Sequence, residues 1–188
     1  MIKRIAANLY MRLRKLIYSS FSNNTDVEGT YIALQPVVIR GKGKICLDEN
    51  VKFGVTNSPF FYNTYAYLEA RHENAVIKIG KNVNCNNSIS ITAEKSIIIK
   101  DDVLIGYNCQ ISDSNFHDLH PEKRLETDPK PERVTIENNV FIGNNVTILK
   151  GVTIGENTVI AAGSIVTKSF PSNVIIGGCP ASVINALD

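Results

Sequence analysis

Residues 134–166 read VTIENNVFIGNNVTILKGVTIGENTVIAAGSIV, and aliphatic side chains return in them at every sixth position. Ile136, Ile142, Ile148, Ile154, Ile160 and Val166 hold one phase, while Val134, Val140, Val146, Val152, Thr158 and Ser164 precede them by two. A helix brings a residue back to the same face about every 3.6 positions and a strand about every 2, so a sustained six is neither alone. With Gly143, Gly151, Gly155 and Gly163 and asparagines between the aliphatic positions, the unit is a short strand followed by a corner. Three such sides close one coil of about 18 residues, and each inward side chain stacks on its equivalent one coil away. The expected class is all-β, a parallel β-helix.

The same phase recurs at Ile39, Ile45 and Val51; at Ile79, Cys85 and Ile91; and, after a two-residue slip, at Ile99, Ile105 and Ile111. One prism is therefore expected over most of residues 35–169. Two stretches break it. Residues 54–75 carry Phe60, Phe61, Tyr62, Tyr65 and Tyr67, and residues 112–133 carry Pro121, Pro129, Pro131 and a dense run of charges. Long excursions from a repetitive scaffold are where chemistry is placed, because the scaffold fixes their ends and leaves the loop free. The aromatic run offers either stacking faces to a sugar or a cover over a prism side.

Residues 1–24 form a separate segment, a basic amphipathic helix and linker ahead of the body at 25–188. Ile2, Ile5, Leu9, Leu13, Leu16 and Ile17 recur near steps of three and four. Lys3, Arg4, Arg12, Arg14 and Lys15 precede the first acid, Asp26; with a net charge of +2 for the whole chain, the remainder is at −3. The body therefore has no nucleic-acid footprint. Residues 1–20 read either as a helix packed on the body or a neighbouring subunit, or as an interfacial helix drawn to anionic lipid. Asn8 and Arg12 interrupt any signal-peptide core, and Cys46, Cys85, Cys109 and Cys179 lie far apart with no CxxC pair. The expected location is cytoplasmic, at most peripheral at the inner face of a membrane. At 188 residues, 44% hydrophobic and 20% charged, the chain suits one globular domain, and no P-loop, dinucleotide fingerprint or nucleophile elbow appears.

The second excursion holds two of the three histidines, in Ser112-Asp113-Ser114-Asn115-Phe116-His117-Asp118-Leu119-His120-Pro121. A histidine on a loop leaving a rigid coil is suited to be general base on an acceptor hydroxyl or amine, its ring oriented by Asp113, Asp118 or a backbone carbonyl. His117 and His120 lack a third ligand in pattern, so no metal site is expected.

The hexads, and above all Val140–Lys168 followed by Gly177-Gly-Cys-Pro-Ala181, resemble the left-handed β-helix hexapeptide-repeat acyltransferases, in the branch of galactoside, maltose and polysaccharide O-acetyltransferases. The resemblance covers roughly residues 35–185. It implies a homotrimer with active sites between neighbouring prisms, acetyl-CoA as co-substrate without a metal, and a sugar or oligosaccharide acceptor. By position it implies His117 as the catalytic base on an extruded loop, and Asn86, Glu94 and His120 as acceptor contacts. Phe141 falls where relatives carry Trp beside the donor, with Asn144 and Ala162 on neighbouring corners and Thr167 and Lys168 toward the nucleotide end. Glu94 stands where the galactoside enzyme has Asp, and Ala181-Ser182 where relatives often have Arg after the closing Pro.

The function these features imply is O-acetylation of a surface-polysaccharide sugar or its precursor by direct transfer. N-acetylation of a nucleotide-linked amino sugar and a non-catalytic hexapeptide scaffold stay open as alternatives.

Overall fold

A computed structural model describes residues 2–187, with side chains from Ile5 onward. Met1 and Asp188, the ends of the two expected segments, and the side chains of Ile2, Lys3 and Arg4 lie outside the described residues. Helix α1 (Ile2–Ser19) precedes eighteen strands: β1 (Val27–Ala33), β2 (Val37–Gly41), β3 (Lys44–Phe53), β4 (Ala66–Ala70), β5 (Val76–Ile79), β6 (Asn84–Cys85), β7 (Ser90–Ala93), β8 (Ser96–Ile99), β9 (Leu104–Ile105), β10 (Gln110–Ser112), β11 (Val134–Ile136), β12 (Phe141–Ile142), β13 (Thr147–Ile148), β14 (Thr153–Ile154), β15 (Val159–Ile160), β16 (Ile165–Val166), β17 (Val174–Gly178) and β18 (Ala181–Ala186).

The strands pair in parallel with their equivalents one coil away and make three faces. The first stacks the start of β3 with β5, β8, β11 and β14; the second stacks the end of β3 with β6, β9, β12, β15 and β17; the third stacks β2, β4, β7, β10, β13 and β16. Each face carries a buried column at the hexad positions. Leu47, Ile79, Ile99, Ile136 and Ile154 form the first column. Phe53, Cys85, Ile105, Ile142, Ile160 and Ile176 form the second. Ile39, Leu68, Ile91, Ile111, Ile148 and Val166 form the third. Burying one such side chain contributes roughly 1.5–3 kcal/mol, so a coil is stable only between neighbours. At the far end β18 folds back antiparallel on β17.

Corners are set by asparagine. Asn50, Asn82, Asn139, Asn157 and Asn173, with Asp102, occupy equivalent corners at φ of 55–61°, a left-handed conformation that asparagine and aspartate tolerate. Their side chains also bond along the prism, Asn139 to Asn157 and Asn157 to Asn173 at 2.8 Å each.

Three boundaries differ from the sequence reading. Strand β1 pairs with β3, so the prism begins at Val27. The first excursion is residues 54–65, because Ala66, Leu68 and Ala70 point inward as part of β4. The second is residues 113–133. The apolar stripe of α1 does not pack on the body: Ile5, Leu9, Leu13 and Leu16 are exposed, while Met11 and Arg14 are buried. The Arg14 guanidinium donates to the carbonyls of Tyr62 and Thr64 at 2.6 and 2.9 Å and lies over the Tyr18 ring.

Asn157→Ala keeps a Cβ in the left-handed region and loses both ladder bonds; a loss of about 1–2 kcal/mol is expected in urea unfolding. Asn157→Gly relieves the backbone cost and should lose less.

Candidate functional site

The second excursion leaves the corner that joins the third face to the first, between β10 and β11. Its root is built around buried carboxylates. Asp113 is fully buried and accepts the backbone N–H groups of Glu94, Lys95 and Ser96 at 2.8, 2.8 and 2.5 Å. Those amides converge because the two-residue slip in the hexad phase widens this corner. Burial pushes the Asp113 carboxyl up against the pull of the three amides.

Glu94, its side chain 3% exposed, accepts bonds from the hydroxyls of Ser114 and Thr127 (2.7 Å for Thr127), with Arg71 and His72 each 3.5 Å away. Burial works to raise its carboxyl, but these donors and charges outweigh it and hold it below the usual range. Arg71 also lies 4.4 Å above the Phe116 ring. Asp128 accepts the amides of Asn115 and Lys130 and the Lys150 ammonium at 2.6 Å. Burial opposes its ionisation, yet the Asn115 amide, Lys150 and the Lys130 amide bring it down to about 2. Both ends of the loop are thus fastened to the prism.

Between these fastenings stands His117. It follows Phe116, held at φ 62°, a costly conformation for an aromatic residue and one that persists only where its surroundings impose it. The ring Nδ1 lies 2.7 Å from the Arg124 carbonyl. A carbonyl only accepts, so Nδ1 carries the proton, and in the neutral ring the lone pair a general base needs is on Nε2. Asp118 accepts the His120 amide instead, and Asp113 is occupied at the loop root, so of the three orienting groups considered the backbone carbonyl is the one in place. His117, Asp118, Leu119 and Arg124 line a shallow cavity of about 390 Å³.

The other expected site residues separate into two places. Thr167 and Lys168 are exposed on the same corner as the loop. Asn86, Asn144 and Ala162 lie on the corner between the second and third faces, and Phe141 is 49% exposed on the second face. Two of the expected acceptor contacts also bond within the chain. Both carboxylate oxygens of Glu94 accept loop hydroxyls, which fastens the loop to the prism. His120 caps the short turn Pro121–Lys123, its Nδ1 accepting the Glu122 amide at 3.4 Å.

Asp128, Lys150, Ser114, Thr127 and Arg71 were missed by sequence reasoning, which marked this corner only by the excursion and its histidines. Asn87 was missed likewise. It is fully buried and holds the first excursion by bonds to the backbone of Val55, Ser58 and Pro59. Among the described residues no group of three or more His, Cys, Asp or Glu side chains is placed to hold a metal ion. Burial raises the Cys85 and Cys109 thiols, that of Cys109 to about 11, so neither is a ready thiolate.

A three-sided prism of parallel hexads with a histidine loop extruded from one corner defines the left-handed β-helix of the acyltransferase type. The family model for bacterial transferase hexapeptide, six repeats, matches residues 133–168. The chain is 32% identical over 157 residues to WbbJ of Escherichia coli, which bears the name of a lipopolysaccharide biosynthesis O-acetyl transferase; the match covers 79% of this chain and 75% of that one. It is 43% identical over 112 residues to the galactoside O-acetyltransferase of Escherichia coli, 60% of this chain and 55% of the relative. A solved galactoside acetyltransferase in complex with coenzyme A superposes with a TM-score of 0.58 at 26% identity, covering 99% of this chain and 81% of the other. The chain belongs to the hexapeptide-repeat transferase family. It spans about half the length of the galactoside relative.

The Asp128 carboxylate is held below its ordinary value of 3.8, so the stability it contributes is present at neutral pH and is lost as pH falls from about 4 towards 2. Asp128→Asn is therefore expected to cost on the order of 2 kcal/mol at pH 7. Chemical denaturation should show the gap from wild type closing through that window.

Proposed function

We propose that this chain is an acetyl-CoA-dependent O-acetyltransferase of a sugar, in a surface polysaccharide or its precursor, working as a homotrimer. The observation that carries the reading is the His117 ring, held at Nδ1 by the Arg124 carbonyl, on a loop that buried carboxylates fasten at both ends. Supporting it are relatives named for galactoside and lipopolysaccharide O-acetyl transfer and a structural neighbour solved in complex with coenzyme A.

In the reaction, the acceptor hydroxyl gives its proton to Nε2 of His117 while its oxygen bonds to the thioester carbonyl carbon. Collapse of the tetrahedral species breaks the carbon–sulfur bond, and the imidazolium returns the proton to the coenzyme A thiolate. No acyl-enzyme is needed, in keeping with the raised cysteine thiols. The residues present suit the donor. Lys168 and Thr167 are exposed for its phosphates, the open face of Phe141 for its apolar arm, and a Cβ built on Gly163, beside Ala162, meets nothing within 4 Å.

The division of the site supports an assembly in which neighbouring protomers share it. His117, Thr167 and Lys168 sit on one edge of the prism and Asn86, Asn144 and Ala162 on another, so one ligand touches both sets most simply where an edge of one protomer faces the other edge of its neighbour. Leu119, 72% exposed, and Leu125, fully exposed, stand on the loop as apolar surface for such a neighbour to cover.

His117→Ala should bind acetyl-CoA like wild type and lose about 10²–10⁴-fold in kcat, for thioester hydrolysis and for transfer to an oligosaccharide. Calorimetric binding that fails for both proteins would remove the donor assignment. Equal turnover by both would remove His117 as base.

A further inference from the structure

Helix α1 is docked the wrong way round for a helix that belongs to a core. Its apolar positions Ile5, Leu9, Leu13 and Leu16, spaced by four, four and three, are 60%, 66%, 53% and 70% exposed. Its contact with the body is made on the opposite side by Met11, Arg14 and Tyr18, and by Lys15, which donates to the Ala33 carbonyl at 3.2 Å. The docking is specific, with two guanidinium–carbonyl bonds and a cation–π contact, so the outward direction of the stripe is imposed by the buried arginine.

The residues beside the stripe have one sign. Arg12 is exposed next to Leu9, Leu13 and Leu16 on the helix surface, and no acid precedes Asp26. The helix is about 27 Å long at 1.5 Å per residue, and no described helix is long and apolar enough to cross a membrane. An exposed apolar stripe flanked by a cation, Arg12, and by no acid is the pattern of a helix lying in the headgroup plane. A second copy of the same helix would set like charges against each other, whereas an anionic bilayer opposes them with negative charge while taking up the leucines.

We propose that α1 is a membrane-docking element that lays Ile5, Leu9, Leu13 and Leu16 into the interface of an anionic lipid bilayer. This is independent of the acetyl-transfer reading, since it rests on the helix alone. The test is flotation of the full chain with vesicles of phosphatidylglycerol and phosphatidylethanolamine beside vesicles of phosphatidylcholine, for wild type, Leu9→Gln/Leu13→Gln and Arg12→Glu, with sedimentation velocity on each protein.

Wild type is expected to float with the anionic vesicles, weakly with the neutral ones, and less as salt rises. The double variant should lose at least about tenfold in vesicle affinity and keep the sedimentation coefficient of wild type. Arg12→Glu should fall between them. The proposal is overturned if wild type ignores anionic vesicles, if it binds both compositions equally, or if the double variant floats as well as wild type. It is also overturned if the double variant sediments as a smaller species, which would make the stripe a subunit contact.

Discussion

Register between coils is the constraint on which the rest of the molecule depends. Phe53, Cys85, Ile105, Ile142, Ile160 and Ile176 stand directly over one another because each coil's strand pairs in parallel with its equivalent in the next. A slip of one residue within a face would turn that face's inward side chain to solvent and its outward one to the core. No strand in the regular coils is long enough to hold its register alone, so the register belongs to the stack. Where the pattern runs out at the last coil, Phe170 makes a single bridge to Ile154 in place of a strand, and β18 covers the outer edge of β17.

Such a stack accepts insertions only at corners. Both excursions begin there, and at each a buried polar side chain satisfies backbone groups the corner would otherwise leave unpaired. Asn87 does this for the first, bonding both an amide and carbonyls of residues 55–59. Asp113 does it for the second, taking three consecutive amides. These residues need burial and geometry, so they stand on the prism or at the loop root, and the residues with exposed chemistry stand further out. Glu94 belongs with the first group by this criterion, its oxygens turned to Ser114 and Thr127.

The prism was legible in the sequence because hexad stacking is a local rule repeated: Ile136, Ile142, Ile148, Ile154, Ile160 and Val166, one hexad apart, all land inward. The histidine loop was legible for the opposite reason, as a break in that rule. What could not be read depends on contacts between residues far apart in the chain. Nothing in the order of residues says that Asp128 meets Lys150, that Arg14 is buried on Tyr62 and Thr64, or that the carbonyl of Arg124 rather than a carboxylate faces His117. The helix was the sharpest case. Its periodicity marks which face is apolar, but which face docks was decided by one arginine, and periodicity carries no information about that.

The partner of His117 bears on how the proposed transfer runs. A carboxylate at Nδ1 would fix the tautomer and also stabilise the imidazolium with a full negative charge. A carbonyl fixes the same tautomer and places only a partial charge beside the ring. In the proposed transfer the proton taken up by Nε2 passes on to the coenzyme A thiolate within the same turnover. The carboxylates of this corner are spent instead on rigidity: Asp113, Glu94 and Asp128 hold the two ends of the loop so that a carbonyl seven residues along the chain can orient the ring.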